Sequence, residues 1–227
     1  GIYANGKLDF KNIPTGLTKT WKYSGSICDE TVEYGWLYAG GQELVECCPA
    51  ELVEELQNAQ KKARAYVKSF EIAKINLRDH CIYDLIPHDF LLQFCEIKNK
   101  VTEHVFDNFA KPKNYDHLDA VQKLLHKIRY QNLNIEISDC KHLLTSTPMR
   151  TKIKKIANQN FIDYDLFGTV TGRLTTKQNS FPMLTVKKEI RQIIKPNNDL
   201  FVALDYNGAE VRTLLELQGV AQPKEDI

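Results

Sequence analysis

Apolar residues recur at three- and four-residue spacing through CPAELVEELQNAQKKARAYVKSF (48–70), HDFLLQFCEIKNKVTEHVFDNF (88–109), HLDAVQKLLHKIRYQ (117–131) and TPMRTKIKKIANQ (147–159). That is the period of amphipathic helices. Pro49 stands near the first start with acids behind it, and Pro87 and the polar turn KPKNYD break the pattern between the next stretches. Four helices with short polar connections predict a helical subdomain over roughly 49–159. From 160 the period changes. FGTVTGRLTT (167–176) is β-branched and punctuated by glycine, and EIRQIIKP and LFVALDY read as strands, with Asn198-Asp199 as a hairpin-like turn between them. GAEVRTLLELQG then reads as a helix that stops at Gly219. Residues 1–48 are rich in Gly, Tyr and Thr, with β-like pieces such as TWKYSG and VEYGWLYAGG, and remain unassigned. The fold class expected is α+β.

Composition narrows the class. With 227 residues, 43% hydrophobic and 26% charged, the chain is globular and long enough for one large domain or two small ones. No apolar run approaches the roughly 18 residues that span a bilayer, so no membrane helix is expected. Cys28, Cys47, Cys48, Cys81, Cys95 and Cys140 match neither a paired CxxC zinc site nor a dense disulfide framework. Reduced, mostly buried thiols in a cytoplasmic setting (a bacterial host's, if the chain is phage-encoded) are expected. The six histidines are scattered over helical stretches and read as helix-face or core residues rather than metal ligands.

The net charge of +1 hides an asymmetry. From Arg150 to Lys195 there are ten Lys or Arg against three acids, which leaves +7 on that segment and −6 on the rest. Such a block suits a phosphate-binding surface, or a solvated basic face with no partner.

Asp205 follows the run FVAL, where a strand would present its last residue at the sheet's end. A carboxylate there needs solvent, a hydrogen bond or a cation. Magnesium suits it as a hard ion that keeps phosphate and water ligands. A cap on the following helix is the other reading of the same local sequence.

The stretch LDYNGAEVRTLLEL resembles motif A of family A DNA polymerases, the bacterial polymerase I family and its phage relatives, whose usual form is DYSQIELR. Asp205, Tyr206, Glu210 and Arg212 fall on its diagnostic positions in register. Upstream, FGTVTGRLTT is similar to the family's TGRLSS segment, and NSFP and EIRQII stand where the family has its QNIP and IRQAF elements. The resemblance covers about 160–217. It implies a helical thumb-like subdomain (49–159) followed by the first antiparallel strands and helix of a polymerase palm (160–227).

The resemblance also implies roles. Asp205 would be the catalytic carboxylate and a ligand of two Mg²⁺ ions, with the backbone carbonyl of Tyr206 adding to one of them. Glu210, with Tyr206 beside it, would lie at the incoming deoxynucleoside triphosphate, filling the space a 2′-hydroxyl needs. Arg173 would reach minor-groove acceptors at the primer terminus, which are nearly independent of sequence. Lys177, Lys187, Lys188 and Arg191 would contact primer–template phosphates, and Arg150, Lys152, Lys154 and Lys155 on the basic helix would grip the duplex.

Two departures stand out. Asn207-Gly208-Ala209 replaces the family's Ser-Gln-Ile, and Asn179-Ser180 stands where the family has Gln-Asn, which puts template-side contacts there in doubt. No clustered proofreading exonuclease site is visible. The resemblance also calls for a fingers helix and a second metal-binding carboxylate motif, neither of which the chain contains. The expectation is therefore a partial enzyme, inactive without a C-terminal polymerase fragment, whether excised from a longer protein or one half of a split one. A primer–template binding module without chemistry is the rival, and an unrelated phosphotransferase with Asp205 as nucleophile is the other.

Overall fold

The computed structural model describes residues 2–4, 6–11, 21–22, 33–77, 79–138, 142, 144 and 146–223. Helices dominate it, and every strand is two or three residues long. The chain is mixed helix and small antiparallel sheets, as an α+β class requires.

Strands β1 (Ile2–Ala4), β2 (Lys7–Asp9) and β3 (Trp21–Lys22) form an antiparallel sheet in the order β2-β1-β3. A single-turn helix α1 (Gly35–Tyr38) follows, then α2 (Val53–Ile72) after a 3₁₀ turn at Ala50–Leu52. Next come a short α3 (Ile82–Leu85), α4 (His88–Asn108) and α5 (Tyr115–Arg129). Strand β4 (Asn134–Ile135) and helix α6 (Thr147–Ala157) lead into the hairpin of β5 (Tyr164–Asp165) and β6 (Thr175–Thr176). Helix α7 (Lys188–Arg191), strand β7 (Ile194–Lys195) and helix α8 (Ala209–Leu217) complete the order.

The four long helices lie where the apolar period predicts them, because each buries an apolar side that spans its length. Helix α4 is the centre of the fold. Its Phe90, Leu91, Phe94 and Cys95 pack with Tyr3 and Ile86, its Ile97 and Val101 with Leu56 of α2, and its Val105 with Leu37, Tyr38, Tyr115, Leu125 and Leu166. A separate cluster joins Ile153 and Ile156 of α6 to Ile162, Phe181, Val186, Ile190 and Ile193. Packing therefore runs across both positions 48 and 159, where composition changes along the chain. At the start of α6 the Ser146 hydroxyl accepts the Met149 N–H at 3.4 Å, with Pro148 in the first turn, so the cap and the fixed φ set the helix's start.

Several strand expectations are corrected. Within VEYGWLYAGG, Gly35–Tyr38 form α1 rather than a strand, with Leu37 and Tyr38 buried by it. EIRQIIKP is a four-residue helix, α7, followed by only two strand residues, because Ile190 and Ile193 both turn into the Phe181 cluster. The partner of β7 is β4, in register Asn134↔Lys195 and Ile135↔Ile194, so Asn198-Asp199 closes no hairpin. LFVALDY is not a buried strand. Its residues carry no ladder pairing among the described residues, and Leu200, Phe201, Val202 and Leu204 are all exposed. Gly219 does end α8: at φ +67 it donates its N–H to Glu216, and Val220 donates to Leu215, the paired bonds of a Schellman stop.

Among the described residues Cys47, Cys48, Cys81 and Cys95 form no disulfide, and the first and last of them are buried. Cys28 and Cys140 lie outside the described residues. Among the described residues no helix is long and apolar enough to cross a membrane.

Candidate functional site

The β5–β6 hairpin carries the TGRL turn. Antiparallel pairing of Tyr164 with Thr176 and Asp165 with Thr175 brings the ends of the loop together. Asp165 Oδ1 accepts the Phe167 N–H at 3.0 Å, which turns the chain out of β5. Gly172, at φ +74, donates its N–H to the Thr169 carbonyl at 3.2 Å, a conformation that a side chain would strain. Thr169 then donates its hydroxyl to the Arg173 carbonyl at 2.8 Å. The result is a stapled turn that holds Arg173 out from the hairpin.

Helix α8 presents Glu210 in its first turn. Its N-cap is Gly208 in the left-handed region at φ +57, with no side-chain cap. Glycine at this position thus suits a backbone conformation that a side chain would strain, and its place at the cap has a second consequence. It also removes the capping role considered for Asp205, which lies three residues further back and is exposed. Arg212 closes the same turn, its Nε donating to the Asn207 carbonyl at 2.8 Å and its Nη1 to Pro223 at 2.7 Å. Gln222 Nε2 in turn donates to the Arg212 carbonyl at 2.8 Å, so the segment after α8 folds back along it.

The two pieces meet. Arg173 Nη2 donates to Glu210 Oε1 at 3.2 Å, with both side chains more than three-quarters exposed (76% and 82%). Tyr206 is exposed beside this pair in sequence, on the same turn as Asp205. Asp205 makes no ion pair or hydrogen bond among the described residues. As donors, the Asp205 carboxylate and the Tyr206 carbonyl are the hard oxygens that Mg²⁺ takes. They would supply an ion with two oxygens, only one of them from an anionic group. Among the described residues no three His, Cys, Asp or Glu side chains gather to hold an ion.

The cationic residues divide into two kinds. Lys152, Lys154, Lys155, Lys187 and Lys188 are exposed around the Phe181 cluster, with α6 and α7 resting on that shared base. Others are engaged within the fold. Arg150 donates through Nε and Nη2 to the Leu144 carbonyl at 3.3 and 3.1 Å, and Arg191 Nε donates to Val186 at 3.1 Å. Lys177 stands 4.0 Å from Asp163, which also holds Arg129 at 3.3 Å. Ser180 is buried and its hydroxyl donates to the Lys177 carbonyl at 2.8 Å, so it serves the fold and faces no ligand. Asn179, in the left-handed region at φ +65, turns the chain beside it.

Sequence reasoning missed Asp163 and Thr169. Asp163 is one of only three acids in the basic block, a rarity that could have marked it as the block's internal counter-ion. Thr169 carried no signal, because a hydroxyl that staples a turn looks like any other threonine. Comparison with family models, with characterised proteins and with solved structures finds no match to this chain.

Proposed function

We propose that the chain is the thumb and first palm segment of a DNA-directed DNA polymerase of the family A type, working in the cytoplasm with a C-terminal polymerase fragment. The observation that carries this reading is the meeting of Arg173 and Glu210, residues of two motifs that lie 37 positions apart. The reading gives those two residues adjacent tasks, on the primer terminus and on the incoming deoxynucleotide's sugar. Their contact across the exposed face supports one shared site.

In that site Arg173 orients the terminal base pair through groove acceptors, and Glu210 and Tyr206 bound the space at the sugar. The exposed lysines of α6 and α7 hold phosphates without reading bases. Asp205, with the Tyr206 carbonyl, is this chain's share of the ligands for two Mg²⁺ ions. When bound, those ions activate the primer 3′-hydroxyl and neutralise charge on the leaving pyrophosphate. The second carboxylate and the fingers come from the completing fragment.

The unpaired run Leu200–Leu204 supports the need for such a fragment. It is apolar on both alternating faces, the composition of a strand covered on both sides of a sheet. Here it is exposed, Leu204 to 91%.

The test is primer extension with Mg²⁺ after mixing the chain with a polypeptide that supplies fingers and the second carboxylate motif. Incorporation of deoxynucleotides is the expected result, with Asp205→Ala abolishing it by far more than about tenfold. Binding of primer–template without restored extension would favour the second reading, a DNA-binding module with no chemistry, for which the exposed lysines alone suffice.

A further inference from the structure

A cavity of about 170 Å³ lies between α5, the start of α1 and the β5–β6 hairpin. Drug-sized ligands occupy roughly 300 Å³ or more, so this one has room for a single planar ring system and not for a whole nucleotide. Its walls combine aromatic rings with charge. Trp36 is 41% exposed, yet fixed: Nε1 donates to Gln122 Oε1 at 2.8 Å, and the indole meets Phe167 edge-on at 5.3 Å. An aromatic ring already held in place loses little freedom when a second ring stacks on it. The His126 ring is another wall, packed 4.9 Å from Tyr130.

Three cations line the same cavity, Lys123, Arg129 and Lys177. Arg129 and Lys177 share the carboxylate of Asp163, at 3.3 and 4.0 Å, and Lys123 pairs with Asp119 at 2.8 Å, so carboxylates hold the three cations in place. Asp165 uses Oδ1 on the Phe167 N–H, and its Oδ2 has no partner among the described residues. An aromatic wall, positioned cations that a phosphate can draw from weak ion pairs, and a spare acceptor for an exocyclic amine are the parts with which proteins hold unpaired bases. The cavity also adjoins the site above. Lys177 lies four residues past Arg173, so at most about 14 Å of chain separates them.

We propose that this cavity takes one unpaired base of a DNA strand, stacked on Trp36, with the neighbouring phosphates on Lys123, Arg129 and Lys177 and an exocyclic amine on Asp165. It rests on the DNA reading above, and it adds a single-strand subsite beside the duplex site. The base needs no partner strand here, which makes the subsite specific for overhangs over blunt duplex.

The probe is Trp36 fluorescence in a Trp21→Phe background, titrated with a (dA)₁₂ oligonucleotide, with dAMP and with a blunt duplex. Quenching by (dA)₁₂ is expected. Trp36→Leu should weaken (dA)₁₂ binding by about 5- to 150-fold, the range for one stacked base, while leaving blunt-duplex binding unchanged. Lys123→Gln, which removes only a half-buried ammonium paired with Asp119, guards against misfolding of the first variant. It should reduce the slope of log affinity against log salt by about 0.7, the value for one phosphate on a single strand. No quenching, an equal loss on blunt duplex in Trp36→Leu, or dAMP binding as tightly as (dA)₁₂ would each overturn the proposal. Blunt-duplex binding by the parent chain, and its loss in Arg173→Ala, report on the polymerase reading separately.

Discussion

Arg173 and Glu210 form an ion pair at 3.2 Å across the exposed face shared by the β5–β6 hairpin and α8. Exposed pairs of this kind contribute about 0–1 kcal/mol, because both side chains remain solvated and lose rotamer freedom. The contact therefore orients two residues and adds little to stability. It joins two motifs that chemistry would need side by side, and it is weak enough for a ligand to displace.

A double-mutant cycle on Arg173→Ala and Glu210→Gln, read by urea unfolding, should give a coupling of less than about 1 kcal/mol that shrinks in high salt. A coupling above about 2 kcal/mol would show that the pair is a structural clamp. Duplex binding should fall in Arg173→Ala and persist in Glu210→Gln.

Gly208 sets the direction in which α8 leaves the turn. Gly208→Ala places a side chain at φ +57 and should cost about 1–2 kcal/mol of stability. The loss should appear first as fraying of α8, because that helix buries none of its residues. Hydrogen exchange at the amides of residues 209–217 would detect it. Unchanged protection in the variant would mean that the turn tolerates the side chain.

Two phenylalanines of one segment should behave in opposite ways. Phe181 is fully buried where α6 and α7 meet, so Phe181→Ala should cost about 3–5 kcal/mol and loosen the lysines on both helices together. Phe201 is 64% exposed, so Phe201→Ser should change stability by no more than about 0.5 kcal/mol. The second variant should instead weaken association with the completing fragment, measurable by titration calorimetry. Equal stability losses in the two would contradict the burial difference.

The pH dependence of stability should bear the mark of Lys98. Burial pushes its ammonium down from 10.5 to about 8, while burial pushes Cys95 up from 9.0 to about 12 and Tyr83 up from 10.0 to about 12. Between pH 8 and 10.5 the unfolded chain keeps a proton that folded Lys98 has released, so stability rises with pH across that window. Above pH 9 the unfolded chain loses the Cys95 proton that the folded chain retains, and above pH 10 the Tyr83 proton as well, so stability falls there. A shallow rise from pH 8 to 9 followed by decline above 10 is expected in urea midpoints. Lys98→Met should erase the rise, and a rise that survives in it would reassign the effect. On the acid side burial lowers His126 below its ordinary 6.5, so stability should be lost as pH falls through that value.

The long helices were legible because their signal is local and periodic. Phe90, Phe94, Ile97 and Val101 recur at helical spacing, and α4 buries all of them. Gly219 was legible as a stop for a similar reason, since a left-handed residue is needed within one turn of the helix end. The strands were not. Ile190 and Ile193 carry the same β-branched preference whether they extend or turn, and the Phe181 cluster decides that they turn.

By itself, then, the sequence determined the long helices, the Gly219 stop and the residue types of the candidate site. Tertiary structure alone decided which of those residues meet. It brought Arg173 to Glu210, gave Lys177 and Arg129 a common counter-ion in Asp163, and buried Ser180. It also left Phe201 and Leu204 uncovered, because a strand is stabilised only by neighbours that lie elsewhere, and its own residues cannot supply them.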